Sequence, residues 1–183
     1  MTTLEAVLKR LRVFPVRGAR PRDFTSTWGA PRPGRRTHKG VDIFCRDRTP
    51  LLAVEDGVIT KIGYGSISGW RLWIGPRPGV SYWYYAHLHS YAPGIKKGAH
   101  VTAGQVIGYA DRTGDAARTP THLHFGCDVA GSGGAHWANP YSRLRHLLPL
   151  PASVSEFENE VRLAPMTRAL QRGAGQSGKI RSR

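Results

Sequence analysis

Short stretches in which apolar or β-branched residues alternate with polar ones, separated by glycine and proline, run through most of the chain. A period of two predicts strands with one face buried, and the intervening Gly and Pro predict tight turns. Residues 1–13 are the exception. Leu4, Val7, Leu8 and Leu11 fall at helical spacing with Lys9, Arg10 and Arg12 between them, which predicts a short basic amphipathic helix ended before Pro15. An irregular lead-in follows through Gly18 and Pro21. Strands are then predicted over residues 24–28, 38–43, 51–54, 57–62, 71–74, 81–89 and 121–125, with two more within 93–109. Residues 29–34 and 114–120 read as loops, and 63–69 as an exposed loop tip. Residues 144–148 predict a short helix or turn packed against the sheet domain, and Pro149 and Pro151 mark its boundary. A further helix is predicted at 155–163, before a Gly-, Ser- and Arg-rich tail expected to be disordered. The predicted organisation is a basic N-terminal arm (1–22), a mainly β, antiparallel domain (23–148) and a partly disordered extension (149–183).

Composition narrows this picture. The 183 residues suit one domain with extensions, and 22 Gly with 13 Pro favour a turn-rich β protein over a helical bundle. A net charge of +15, mostly from Arg, implies attraction to a polyanion: nucleic acid, an acidic membrane surface or an anionic wall polymer. No apolar run approaches the ~18 residues of a membrane span. Residues 1–14 do not read as a secretory signal, because Lys9, Arg10 and Arg12 interrupt the apolar positions. Two cysteines are too few for a disulfide framework.

Candidate chemistry comes from strand parity. In the Thr121-His122-Leu123-His124-Phe125 stretch, the two histidines point to one face, and Leu123 and Phe125 to the other. In His38-Lys39-Gly40-Val41-Asp42, His38 and Asp42 share a face, and Gly40 keeps the space between them open. Each pair alone has a plain alternative, a solvated histidine pair or a surface His–Asp ion pair. Together, with the strands side by side, His38, Asp42 and one of His122 and His124 could supply the three protein ligands of a catalytic zinc, whose bound water becomes acidic. The remaining histidine would face that water. Parity also puts Trp83, Tyr85 and His87 on one face, where aromatic residues are most often core. His89 and His100 read as solvated. Cys45 and Cys127 fall three residues past Asp42 and His124, on the opposite face, where neighbouring strands would let them meet as a buried pair or a disulfide; free, buried thiols are the favoured expectation.

The ordered set His38-x-Gly-x-Asp42, Tyr85-Ala86-His87-Leu88, Val101-x-x-Gly104-Gln105-x-Ile107-Gly108 and His122-Leu123-His124-Phe125 resembles the M23 zinc metallopeptidases, the lysostaphin-type or LytM-domain peptidoglycan endopeptidases. The similarity covers about residues 23–148. It implies an antiparallel β domain with a groove between loops. It implies that His38, Asp42 and His124 bind Zn²⁺, and that His87 and His122 stand beside the metal water as general base and transition-state stabiliser. It implies peptide substrates in wall stem peptides or cross-bridges, at the cell envelope or outside the cell. Export by a phage lysis or tail apparatus would reconcile that with the unread signal.

Three departures stand out. Gly126 occupies a position often acidic in the family. Asp115-Ala116-Ala117-Arg118-Thr119 replaces a Gly/Ser-rich approach to the His-x-His run. Arg32, Arg35 and Arg36 precede His38, as oxyanion stabilisers, as binders of anionic wall polymer or as a solvated basic loop. A LytM-type binding or activator module without catalysis is the alternative, though degenerate members of that kind usually lack zinc ligands. A nucleic-acid binder is disfavoured, since no such motif is present. A monomer is expected.

Overall fold

The computed structural model of the chain describes residues 3–147. The helix expected at 155–163, the boundary prolines and the tail lie outside the described residues. A helix α1 (Leu4–Lys9) opens the chain, followed by a 3₁₀ turn at Pro21–Asp23. The strands are β1 (Pro31–Arg32), β2 (Arg36–Thr37), β3 (Val41–Phe44), β4 (Pro50–Leu52), β5 (Gly57–Gly65) and β6 (Gly69–Gly75). After them come β7 (Trp83–Tyr91), β8 (His100–Val101), β9 (Val106–Ala110), β10 (His122–Asp128) and β11 (Trp137–Ala138). A 3₁₀ turn at Gly114–Arg118 precedes β10, and α2 (Tyr141–Arg145) follows β11.

The fold is mainly β, as the alternation predicts. One antiparallel sheet runs β11-β10-β7-β6-β5-β8, with β3 on β10 and β9 bridging β7 and β4. Its inner face buries Val41, Ile43, Ile59, Leu72, Ile74, Trp83, Tyr85, Leu123 and Phe125, with Trp83 stacked on Phe125 at 5.7 Å between ring centroids. Tyr85 is fully buried; its hydroxyl donates to the Leu52 carbonyl (3.0 Å) and accepts from the Val54 amide (3.2 Å). Cys127 is buried and Cys45 half-buried, both free thiols, and burial pushes each up to about 12.

The N-terminal segment completes this core. Thr3 caps α1 through the Ala6 amide, and Val7, Leu11, Phe14 and Val16 are buried in the same apolar cluster as the sheet. The Arg10 guanidinium reaches buried Glu55 at 2.6 Å, and the Trp83 indole N–H donates to the same carboxylate at 2.9 Å. No strand forms over 24–28. Phe24 makes one bridge to Ile43 and packs at 5.2 Å on the Phe14 ring, and the following residues turn away to meet His38. The 63–69 segment is a tighter turn than expected, since β5 extends to Gly65 and β6 begins at Gly69.

One departure from alternation matters most. From Trp70 to Leu72, β6 advances two residues, while the facing β7 advances three, from Leu88 to Tyr85. The extra residue is absorbed where His87 adopts φ +64°, a left-handed conformation costing about 1 kcal/mol for a side chain of this kind. Trp83, Tyr85 and Leu88 therefore face the core, and His87 is turned out to the opposite face. The expectation that Trp83, Tyr85 and His87 share a face fails at this single bulge. On the outer face, Trp73, Tyr84 and Ala86 form a second apolar cluster with Trp137.

Candidate metal centre

β3 and β10 pair antiparallel with Asp42 directly opposite His124, and β7 pairs on the other side with Ala86 opposite His124. Parity then sets both Asp42 and His124 on the outer face. His38, in the loop just before β3, swings onto the same spot. His38 Nε2, Asp42 Oδ1 and His124 Nδ1 form a triangle with sides of 2.9, 3.0 and 3.1 Å. Three ligand atoms about 2.05 Å from a tetrahedral zinc would stand about 3.3 Å apart. The cluster therefore needs only a slight opening to hold such an ion, and its two imidazoles and one carboxylate suit zinc chemistry.

The hydrogen bonds behind the triangle orient it. His38 Nδ1 donates to the Thr27 carbonyl at 2.9 Å, which fixes the proton there and turns the Nε2 lone pair inward. Arg32 holds the outer oxygen of Asp42, leaving Oδ1 for the cluster. Burial alone would raise the Asp42 carboxyl, but hydrogen bonds and charge from His124 and His38 outweigh it and hold the group far below the usual carboxylate range. Burial keeps His124 low, against the pull of Asp42. A Cβ at Gly40 would come within 2.7 Å of the His124 ring and of the Phe125 carbonyl, so the space expected at this glycine is used by His124 itself.

Two further histidines stand beside the triangle. His122 Nδ1 contacts the Pro120 carbonyl at 2.8 Å, and its Nε2 lies 3.9 Å from Asp42 Oδ1. His87 Nδ1 contacts the Thr113 carbonyl at 2.8 Å, and its ring centroid is 5.0 Å from that of His122. Only an N–H can bond to a carbonyl, so both rings carry a proton on Nδ1 and turn Nε2 away from that carbonyl. Loss of water around His87 lowers it to about 4; the Thr113 carbonyl opposes this shift, and His122 and His124 add to it. The ring is neutral at neutral pH.

Four of the five candidate residues, His38, Asp42, His87 and His124, line one groove of about 570 Å³, and His122 packs behind it against the His87 ring. Arg32, Arg35, Arg36 and Lys39 line one wall, and Arg36 bridges to Asp115 on the opposite side at 3.0 Å. His89, expected to be solvated, instead pairs with Asp111 at 2.9 Å, and His100 is exposed on β8. Sequence reasoning missed Thr27, Thr113 and Pro120, which act through backbone carbonyls that no side chain announces. It also missed Trp137, which lies over the side-chain-free surface of Gly126.

A profile of peptidase family M23 matches residues 36–135, more than half of the chain. The chain belongs to peptidase family M23. Among the M23 proteins it resembles is an L-Ala–D-Glu endopeptidase of Bacillus subtilis, 38% identical over 141 residues, which are 72% of this chain and 42% of that protein. The chain therefore spans less than half the length of that M23 relative. Of solved structures, the catalytic domain of lysostaphin from Staphylococcus simulans superposes with a TM-score of 0.58 at 30% identity, covering 67% of this chain and 91% of that one. A zinc-containing peptidase from Vibrio cholerae gives a TM-score of 0.55 at 26% identity, covering 76% and 41%. The M23 match spans all five candidate histidine and aspartate positions, His38, Asp42, His87, His122 and His124.

Proposed function

We propose that this chain is a zinc-dependent endopeptidase that hydrolyses peptide bonds in peptidoglycan stem peptides or cross-bridges. The observation that carries the proposal is the convergence of His38, Asp42 and His124 into a near-equilateral triangle of ligand atoms, with two imidazoles beside it. His38 Nε2, Asp42 Oδ1 and His124 Nδ1 would hold the metal. Bound there, zinc supplies Lewis acidity toward a carbonyl and makes water acidic enough to ionise near neutral pH.

The remaining work falls to the chain's own groups. His87 lines the groove and His122 stands beside it with Nε2 3.9 Å from Asp42 Oδ1, so a neutral ring at either position can take the proton released as water attacks the peptide carbonyl. The same nitrogen can return it to the departing amine. Burial of His87 favours its neutral form, the form a base requires. The carbonyls of Thr113 and Pro120 fix both rings and stabilise positive charge that develops on them. The arginines beside the groove suit anionic wall polymers, and the place of action is the cell envelope or the space outside it. A wall-binding module without catalysis is disfavoured by the complete set of ligand and auxiliary residues.

Release of soluble fragments from purified peptidoglycan tests the proposal. Cleavage should stop with chelator, return with zinc, be absent in His124→Ala, and leave products with new free amines. Protein that holds zinc but releases nothing from several wall types would sink the substrate assignment. Protein that neither holds zinc nor cuts would establish the module reading.

A further inference from the structure

Beside the metal groove lies a second basin of about 500 Å³, sharing Tyr84 and Trp137 with it. Its floor is one cross-strand row. Lys61 on β5 pairs with Trp73 on β6, Trp73 with Tyr84 on β7, and Tyr84 with Gly126 on β10. The metal row, Asp42–His124–Ala86, runs parallel to it two residues further along β10. The three aromatic rings pack at 4.6 to 5.6 Å between centroids, and Tyr84 meets the His124 ring at 5.9 Å. One aromatic surface therefore leads from the candidate metal ligands to the far wall.

That far wall is cationic. Lys61 Nζ stands 5.9 Å over the Trp73 ring and donates to the Ser132 carbonyl, and Arg71 donates to Ser68 Oγ at 3.3 Å. Among the described residues, no acidic side chain lines the basin. The third wall, the loop after β10, is held in place from below. Buried Asp128 accepts from the amides of Ala130, Gly134 and His136 and from Ser132 Oγ, at 2.6 to 3.3 Å. The basin is thus a built surface of packed aromatic rings with two cations that, among the described residues, have no carboxylate partner.

We propose that this basin binds a carboxylate of the peptide being cleaved, with Lys61 and Arg71 as the recognising cations and Trp73, Tyr84 and Trp137 as the surface beneath the peptide. The proposal rests on the endopeptidase reading and deepens it, from a peptide to an acidic peptide. Two strands across and two residues along the sheet separate Trp73 from His124, about 12 Å at ordinary strand spacing. An extended peptide covers that distance in three to four residues. The recognised carboxylate therefore lies about that far from the cleaved bond, and a neutral glycine bridge would leave the cations unused. Lys61 and Arg71 are exposed, and two such cations acting together discriminate charge from its neutral isostere by roughly tenfold at most.

The test uses wall tetrapeptides in two forms, with carboxyl groups free or converted to carboxamides, and the full chain loaded with zinc. Rapid-mixing tryptophan fluorescence, reporting Trp73 and Trp137 before turnover, gives affinity, and product formation is followed separately. The free-carboxyl form should bind tighter, by up to about tenfold. The ratio should fall to near one in Lys61→Ala/Arg71→Ala and below one in Lys61→Glu/Arg71→Glu. Equal affinities in the parent protein, or a ratio that survives both double variants, overturns the assignment. If peptides are cut without a charge preference, the basin proposal falls and the peptidase reading stands. If the charge preference holds while nothing is cut, the peptidase reading falls and the basin stands.

Discussion

Gly40→Ala is the sharpest probe of the metal triangle, because it touches none of the three ligands chemically. A Cβ there would lie 2.7 Å from His124 Cε1 and Nε2 and from the Phe125 carbonyl oxygen. Ordinary contact begins near 3.4 Å, so each neighbour must retreat by about 0.7 Å. The Phe125 oxygen belongs to β10, which is pinned between β3 and β7, so the backbone at residue 40, between the ligands His38 and Asp42, must back away from it while the His124 ring yields to the new methyl. A shift of that size exceeds the ~0.5 Å within which a ligand constellation keeps its function. Zinc affinity should fall by roughly 10- to 100-fold, as when the support of a ligand is lost. Overpacking should cost about 2 kcal/mol, a Tm lowered by about 4–8 °C in the zinc-free protein. Competition against a fluorescent zinc chelator measures the first effect, and differential scanning calorimetry the second. A dissociation constant within threefold of the parent would refute the claim that His124 occupies the vacancy at Gly40.

The other predictions address separate parts of the molecule. His87→Ala and His122→Ala should each lower kcat by about 100-fold or more while metal analysis still finds one zinc per chain; loss of zinc in either would make that residue a ligand instead. Arg10→Leu leaves Glu55 buried with only the Trp83 indole, and should cost about 3 kcal/mol in urea unfolding, partly recovered in Arg10→Leu/Glu55→Gln. An unchanged midpoint would mean that the Arg10–Glu55 pair contributes little to stability. Burial alone would raise the Asp128 carboxyl, but the loop amides and Ser132 hold it below its ordinary value. Its contribution to stability is therefore complete above about pH 3.9 and is lost as pH falls through the lowered native value. Asp128→Asn should remove that part of the acid dependence, which thermal melts from pH 6 to pH 2 would detect.

How far the sequence could be read depended on whether a feature was local. Parity put His122 with His124 and both cysteines on the opposite face, because β3 and β10 are regular where they pair. His38 does meet Asp42, but from the loop before β3 rather than along a strand as parity assumed, and the space at Gly40 is filled by the His124 ring. The face of His87 was not, since a single inserted residue reverses parity and leaves no compositional trace. The aromatic run was read only as a core stripe, yet Trp83 and Tyr85 face inward while Tyr84 joins Trp73 and Trp137 beside the groove, a grouping set by pairing between distant strands. Phe24 carries the composition of a strand residue, but its ring is used against Phe14 and Tyr141.

The bulge in β7 also says something about how this fold can change. If His87 were deleted, Tyr85, Ala86 and Leu88 would alternate inward, outward and inward as an ordinary pleated strand, level with β6 and with every core side chain kept. The sheet has no architectural use for His87. It is a supernumerary residue, held in a disfavoured backbone conformation and presented to the groove by two neighbours, Ser68 and Asp111, which bond its amide and carbonyl. The scaffold and the proposed proton-handling group are therefore separable at a cost of one codon. A chain lacking it would be expected to fold at least as well and to keep its metal triangle, while losing one of its two imidazoles.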